Sequence, residues 1–432
     1  MKIKTLGICL KKVGLATGIF FSINSDSQAQ DLERLTLEQA QQLAEQNYPL
    51  IRQRDLIKQT NGLTLSNLNK GYFPQISING QASYQSDVTT IQSPVPGVEF
   101  VPPSKNQYKI TADVNQVLFD GGTIRQQKNL QELNAQVETQ KVEVELYKLK
   151  DRINQLYLGI LLQDENLKQA ELKQNDLEVA VKKVDAQVRN GLIFKSNLYS
   201  LQAELLKVKE RVVEVKASRE GLLRTLGLFL NRTLNATTVL ETPTPGVTNF
   251  NPEIKRPELG LYTYQSNLLL QQNSLIRSRN LPKFSLFAQG GYGRPGLNVL
   301  LNQFDWFYIG GVRLNWNLSG FYTYGHDKHI TDLNRQIIET NRATFLLNTN
   351  TVLSQEQSNI EKMQQLLQTD DEIIALRTKV KNAAHAQLDN GVITTNDFLL
   401  DVNDENEARL LKVFHQLQLL QAQINYQTTA GE

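Results

Sequence analysis

The side chains best placed to do chemistry are three carboxylates, Asp397, Asp401 and Asp404. Their i, i+4, i+7 spacing puts all three on one face of a helix, just past a turn at Gly391. Such a row attracts cations. It is also what the solvated start of a helix carries, because the helix dipole favours negative charge there. In a closed ring of copies, one row per subunit would converge on the axis. Two other constellations point less clearly to a ligand. His326 and His329 flank Asp327 near a helix start, but a structural zinc usually needs four ligands. The other histidines, His385 and His415, lie far along the chain, so an exposed helix start is the better account. The glycines of Gly291-Tyr292-Gly293-Arg294-Pro295-Gly296 have the spacing of a dinucleotide loop, which requires a helix directly after it. Pro295 and the strand pattern that follows make this a strand-to-strand loop instead. No Ser/His/Asp order, P-loop or HExxH motif is present, so the residues offer no catalytic constellation, cofactor site or metal centre, and an enzyme is not expected.

The broad chemistry is that of an exported chain. Lys2, Lys4, Lys11 and Lys12 precede a short apolar stretch, Val13 to Ile23, and Ser27-Gln28-Ala29 supplies small residues for cleavage. Residues 1–29 therefore read as a signal peptide, which carries away Cys9, the only cysteine. The net charge of +2 includes no basic block, so nucleic acid is not an expected partner. No later segment reaches the ~18 apolar residues of a spanning helix. If the chain enters a membrane, it does so as a β-barrel.

The chain is written twice. YFPQISINGQASY at 72–84 is matched by NLPKFSLFAQGGY at 280–292, QVLFDGG at 116–122 by NWNLSGF at 315–321, and RNGLIFKSNL at 189–198 by DNGVITTNDF at 389–398. Three landmarks in the same order mark a duplicated unit of about 200 residues: a first repeat at 30–230, a linker at 231–256 with Pro243, Pro245 and Pro252, and a second repeat at 257–432. Each unit should open with a helix, Leu35 to about Lys70 and Pro257 to about Arg279. A β-hairpin follows, within 74–119 and 282–318. Ile76, Ile78, Gly80, Ala82 and Tyr84 alternate with Gln75, Ser77, Asn79, Gln81 and Ser83, and Tyr108 to Asn115 continue the pattern. In the second unit Tyr308, Gly310, Val312, Leu314 and Trp316 alternate with Ile309, Gly311, Arg313, Asn315 and Asn317. Period two marks strands with one apolar and one polar face. The polar face meets bulk water in a soluble sandwich and lines the lumen in a transmembrane barrel. Pro94, Pro96, Pro102 and Pro103 stiffen the loop of the first hairpin. A proline-free helix comes next in each unit, about Thr123 to Arg189 and about Tyr322 to Asp389, with coiled-coil spacing at Leu149, Ile153, Leu156 and Ile160. At 1.5 Å per residue each is about 100 Å long. Asn190-Gly191 and Asn390-Gly391 turn the chain, and return helices should run from about Ser196 to Leu230 and about Thr395 to Gln427.

These landmarks resemble the TolC family of outer-membrane efflux proteins over nearly the whole chain beyond the leader. LTLEQAQQLAEQNYPLI at 35–51 looks like the family's opening helix, QVLFDGG resembles its strand-to-helix junction, and the two Gly turns resemble its helical-hairpin tips. The resemblance implies a mixed all-α/β-barrel membrane protein. It would be a homotrimer in which four strands per subunit join one shared transmembrane β-barrel in the outer membrane, above an internally duplicated, antiparallel coiled-coil tunnel in the periplasm. It implies a passive duct of a tripartite efflux pump or type I secretion system, working with a periplasmic adaptor and an inner-membrane pump. The tips, Gly191 with Leu192 and Gly391 with Val392, would contact the adaptor. A family acid six positions after each tip Gly is matched by Asp397, while Asn197 stands at the first tip and Asp401 lies next to the place of a second acid, Leu400. Asp397, Asp401, Asp404 and Asn197 would then surround the periplasmic constriction. The family's bracing tyrosine and arginine have no match, since Leu388 and Ile393 stand there. The competing reading is a periplasmic adaptor or coiled-coil scaffold that never inserts.

Overall fold

The computed structural model describes residues 34–90, 97, 102–244 and 250–431. The signal peptide read at 1–29, Pro94 and Pro96 of the stiff loop, and Pro245 of the linker lie outside them. In chain order the elements are β1 (Arg34–Leu35), α1 (Leu37–Asn47), α2 (Arg52–Asn69), β2 (Gln75–Tyr84), β3 (Asn106–Phe119), α3 (Thr123–Arg189), α4 (Lys195–Leu230), β4 (Val239–Leu240), α5 (Pro257–Arg279), β5 (Lys283–Arg294), β6 (Asp305–Asn315), α6 (Gly320–Asp389) and α7 (Thr395–Ala430). The α3 and α6 helices run for 67 and 70 residues, with no proline to remove a backbone donor.

The opening helix is not continuous, contrary to the expectation of one helix from Leu35 to Lys70. Thr36 starts α1 through a capping box with Gln39. Tyr48, preceding Pro49, is then forced to an extended ψ of 126°, as the pyrrolidine ring disfavours helical backbone before it. A 3₁₀ turn over Pro49–Ile51 starts α2. Within the linker, β4 pairs in parallel with β1. Trp316 falls just past the end of β6, where its indole Nε1 donates to the Asn280 carbonyl at 3.1 Å.

Around the middle of the long axis the return helices stop and shorter helices take over their track. Asn47, at the end of α1, donates to the Leu230 carbonyl that ends α4, at 3.0 Å. In the other half the Lys255 amide, just ahead of α5, donates to the Ala430 carbonyl that ends α7, at 2.7 Å. Here sits the largest apolar core, where Ala40 and Ala44 of α1 pack on Ile153, Tyr157 and Ile160 of α3 and on Leu223, Leu226 and Leu230 of α4. The buried Tyr157 hydroxyl lies 2.6 Å from the Leu35 carbonyl and 2.7 Å from that of Glu241, pinning β1 and β4 to α3.

The four longer strands form one antiparallel sheet in the order β2-β3-β5-β6. The two hairpins are thus fused, β3 of the first unit pairing with β5 of the second. The registers carry the alternation across all four strands, with mostly apolar or small residues on one face and mostly polar residues, joined by Phe287, Phe307 and Ile309, on the other. Ile78 stands opposite Ala112, Ala112 opposite Gly290, and Gly290 opposite Tyr308; on the other face Ser77, Asp113, Gln289 and Ile309 form the matching row.

Candidate functional site

The two tips are built by the same backbone device. Gly191 and Gly391 adopt φ of 74° and 71°, a left-handed conformation that an L side chain resists. Gly191 N donates to the Val188 carbonyl at 3.0 Å and Leu192 N to that of Gln187 at 2.9 Å. Gly391 N and Val392 N donate to the carbonyls of Leu388 and Gln387 at 3.1 and 2.9 Å. This pair of bonds is the Schellman closure of a helix end. Leu192 and Val392 are left exposed, as is Phe194.

The carboxylate row lies on α7, but its members are held differently. Asp397 closes a capping box: its Oδ2 accepts from the Thr394 amide at 3.0 Å and the Thr394 hydroxyl at 2.7 Å. Those bonds hold its carboxyl below the usual aspartate range. Asp404 pairs with Arg377 of α6 at 2.8 Å. Asp401 has no ion-pair partner among the described residues and is half-buried. At the first tip Asn197 occupies the place of Asp397, but Phe194 cannot cap it and only its amide bonds back, to the Phe194 carbonyl at 3.1 Å. The row therefore brings one unpaired carboxylate per chain to the helix face, with two others already engaged.

At the opposite end, the sheet is inverted relative to a soluble protein. Its apolar face is the open one, with Ile78 74% and Tyr308 86% exposed. The polar face is crowded at Thr111 and Phe307, 5% and 8% exposed, and open at Ser77 and Asn79 on the β2 edge. Asp113 on this face accepts from Asn79 and Thr111 at 2.8 and 3.0 Å and from Gln289. Lys109 lies 4.7 Å from the Phe307 ring and Arg313 4.6 Å from the Phe287 ring. The glycines at 291 and 293 belong to β5, with a further strand after them rather than a helix, and His326 and His329 are exposed on the first turns of α6.

No protein-family model matches the sequence, and no curated protein does. Solved structures do match in fold. The outer membrane channel CmeC of Campylobacter jejuni aligns with 91% of this chain and 85% of its own at a TM-score of 0.64 and 14% identity. VceC of Vibrio cholerae covers 91% and 96% at 0.67 and 12% identity. The open state of the MtrE channel of Neisseria gonorrhoeae covers 91% and 88% at 0.62 and 13% identity. The chain has the fold of the TolC-type outer-membrane efflux channels.

Within that TolC-type fold, the positions expected from the resemblance to carry a bracing tyrosine and arginine hold Leu388 and Ile393. Leu388 and Ile393 pack against an apolar seam of Ala384, Phe398 and Val402, which Ala180 of α3 joins. Polar links between the two helical hairpins come from residues that sequence spacing did not single out. Lys183 of α3 meets Asp389 of α6 at 2.5 Å, and Lys381 of α6 meets Asp176 of α3 at 3.5 Å. Members of each pair lie far apart in sequence, and nothing in the local pattern distinguishes them from ordinary solvated charges.

Proposed function

We propose that copies of this chain close one β-barrel in an outer membrane and continue as a helical tunnel, forming a passive export duct. The observation that carries this is the inverted sheet. An open face bearing Ile76, Ile78, Tyr308 and Val312 is an aggregation hazard in water, whereas lipid accepts it provided every backbone group is paired. From Phe284 to Tyr292 the apolar face runs about 27 Å along the strand at ~3.4 Å per residue, close to the ~25 Å band of an outer-membrane barrel before tilt. Aromatic residues bound it at both ends, with Tyr84, Tyr108, Tyr292 and Trp306 on one side and Phe119 and Phe284 on the other.

Four strands cannot enclose a pore, and both β2 and β6 are free edges among the described residues. The duplication supplies a template for the missing pairing. β3, the second strand of its hairpin, already accepts β5, the first strand of the next, so β6 can accept β2 of a neighbouring copy by the same rule. Such a head-to-tail contact closes into a ring, and the family likeness favours a homotrimer of twelve strands in all, within the 8–26 common for such barrels. The helices, about 100 Å long, would reach inward across the periplasm. Gly191, Leu192, Gly391 and Val392 would meet a periplasmic adaptor linked to an inner-membrane pump. Asp397, Asp401 and Asp404, with Asn197, would line the periplasmic entrance and favour cations, Asp401 contributing the one carboxylate of the row without an ion-pair or cap partner among the described residues. Cargo, whether small molecules or polypeptides, would pass without chemical change. A scaffold that stays in the periplasm is disfavoured because it would leave the apolar sheet in water.

The purified protein should migrate as a heat-modifiable oligomer in detergent and give discrete conductance steps in planar bilayers, with cation preference reduced by Asp401→Asn. A monomer that stays soluble without detergent and gives no conductance sinks the proposal.

A further inference from the structure

At the loop end of the sheet the lipid-side face is indented. Gly80 and Ala82 on β2 lack bulk, and a Cβ built at Gly80 would meet nothing within 4 Å. Tyr108 and Ile110 of β3 and Tyr292 of β5 rise beside them, and Phe304 from the β5–β6 loop folds over, its ring 6.4 Å from Tyr108 and 5.5 Å from Tyr292. Together with Gln81 and Lys109 they line an open trough of about 410 Å³. Arg294 shares the outward row with Tyr108, and its guanidinium sits 5.6 Å from the Tyr108 ring and 5.3 Å from the Phe304 ring. The guanidinium is underused. Nη2 reaches the Asn106 carbonyl at a long 3.4 Å, while Nε is shielded from solvent and has no partner. Just beyond, Leu297, Val299, Leu300 and Leu301 are exposed on the same loop.

We propose that this trough holds an acyl chain of a membrane lipid from the leaflet remote from the helices, and that Arg294 binds that lipid's anionic phosphate. The inference rests on the reading of the sheet as a lipid-facing barrel wall. An open groove whose walls are mostly apolar and aromatic takes a hydrocarbon chain. Stacking on Tyr108 and Phe304 engages the faces of the guanidinium and leaves its terminal Nη donors, rather than the shielded Nε, for an acceptor. Phosphate oxygens match that planar fork, which a neutral headgroup does not. The exposed Leu and Val residues of the loop fit the same interface, where apolar side chains dip among headgroups. A neighbouring copy pairing with the edge of β2 does not displace the lipid, because the trough opens on the face of the sheet and not on its edge.

Trp306, whose ring lies 5.0 Å from Tyr292, is a built-in reporter; the only other tryptophan is Trp316. The full chain carrying Trp316→Phe is reconstituted in phosphatidylcholine vesicles, a minor fraction of which is replaced by brominated phosphatidic acid or brominated phosphatidylcholine. Brominated phosphatidic acid should quench Trp306 at least about twofold more strongly, as a charge-assisted bidentate contact demands. Arg294→Gln should make the two lipids equal. Gly80→Leu, which fills the trough and keeps the arginine, should also remove the preference. In every variant brominated phosphatidylcholine should still quench. Equal quenching by both lipids before these substitutions overturns the site but leaves barrel insertion standing, and so does a preference that survives Arg294→Gln. Loss of the preference on adding inorganic phosphate assigns the site to a free anion and overturns the lipid proposal. No quenching by either lipid places the sheet outside the bilayer, and the proposed function fails with it.

Discussion

The two helical hairpins carry matching landmarks 200 residues apart, yet they are held together by different chemistry at matching positions. Near the first tip α3 and α4 close on an apolar core of Leu177, Val184, Leu198, Leu201 and Val208. In the second, positions matching Val181 and Leu205 carry Lys381 and Glu405. Glu405 is 4% exposed and accepts from Lys381 at 2.8 Å, Arg409 at 2.6 Å and Thr378 at 2.9 Å. Burial pushes its carboxyl up, but the three donors outweigh that and leave it below the ordinary range. Ala170 and Val215 of the first hairpin likewise match Asp370 and His415 of the second, which meet at 2.7 Å between α6 and α7. The first hairpin has comparable ion pairs in Lys173 with Glu204 at 2.9 Å and, farther from the tip, Arg219 with Asp164.

The difference teaches where each hairpin is fragile. An apolar seam tolerates gradual change, since a lost methylene costs about 1 kcal/mol. A buried ion pair contributes little net stability but is costly to break on one side only, because the remaining charge is stranded. The second hairpin is therefore the half that a single substitution or a pH change should disturb most.

The sharpest way to break the comparison is at Glu405. Glu405→Leu alone should lower the unfolding free energy by about 2–3 kcal/mol, since Lys381 and Arg409 lose their shared partner. Adding Lys381→Val, which installs the residues of the first hairpin, should return stability to within about 1 kcal/mol of the parent or above it. Denaturant unfolding of the detergent-solubilised protein measures both. A single variant as stable as the parent would show that the charge cluster is solvated rather than buried.

A smaller effect should be equal in the two halves. Gly191→Ala and Gly391→Ala each force a side chain into left-handed backbone, at about 1–2 kcal/mol. Because the two Schellman closures match bond for bond, unequal losses would show that neighbouring copies load one tip more than the other. The smallest effect concerns the caps. Thr394→Val removes the capping box at the second tip and should cost less than the glycine change, with no counterpart for Phe194→Val at the first. The contribution of Asp397 is complete above the unfolded aspartate value of about 3.9, because its folded value is depressed, and fades as pH falls through that lower value. The unfolding midpoint of Thr394→Val should accordingly depend less on pH below about 4 than that of the parent.

Much of this is legible in the sequence. The glycines at 191 and 391 marked both tips, since only a residue without Cβ enters left-handed backbone freely. Thr394-Thr395-Asn396-Asp397 has the spacing of a capping box, yet Asp397 first stands out as part of an acid row, because the row and the box share that residue. Pro49 announced the break in the opening helix, whose apolar periodicity on either side masked it. The two-residue strands β1 and β4 are too short to leave any periodic signal.

The sequence by itself determined the duplication, the element types and the two unlike faces of every long strand, because these depend on residues near one another along the chain. Only the tertiary structure decided which face turns outward, which charges meet across the hairpins, and that Arg294 sits over two rings with a donor unused. Alternation carries no sign: a strand with one apolar and one polar face fits a soluble core or a lipid-facing wall equally well, and only the packing of the folded chain shows which face is left open.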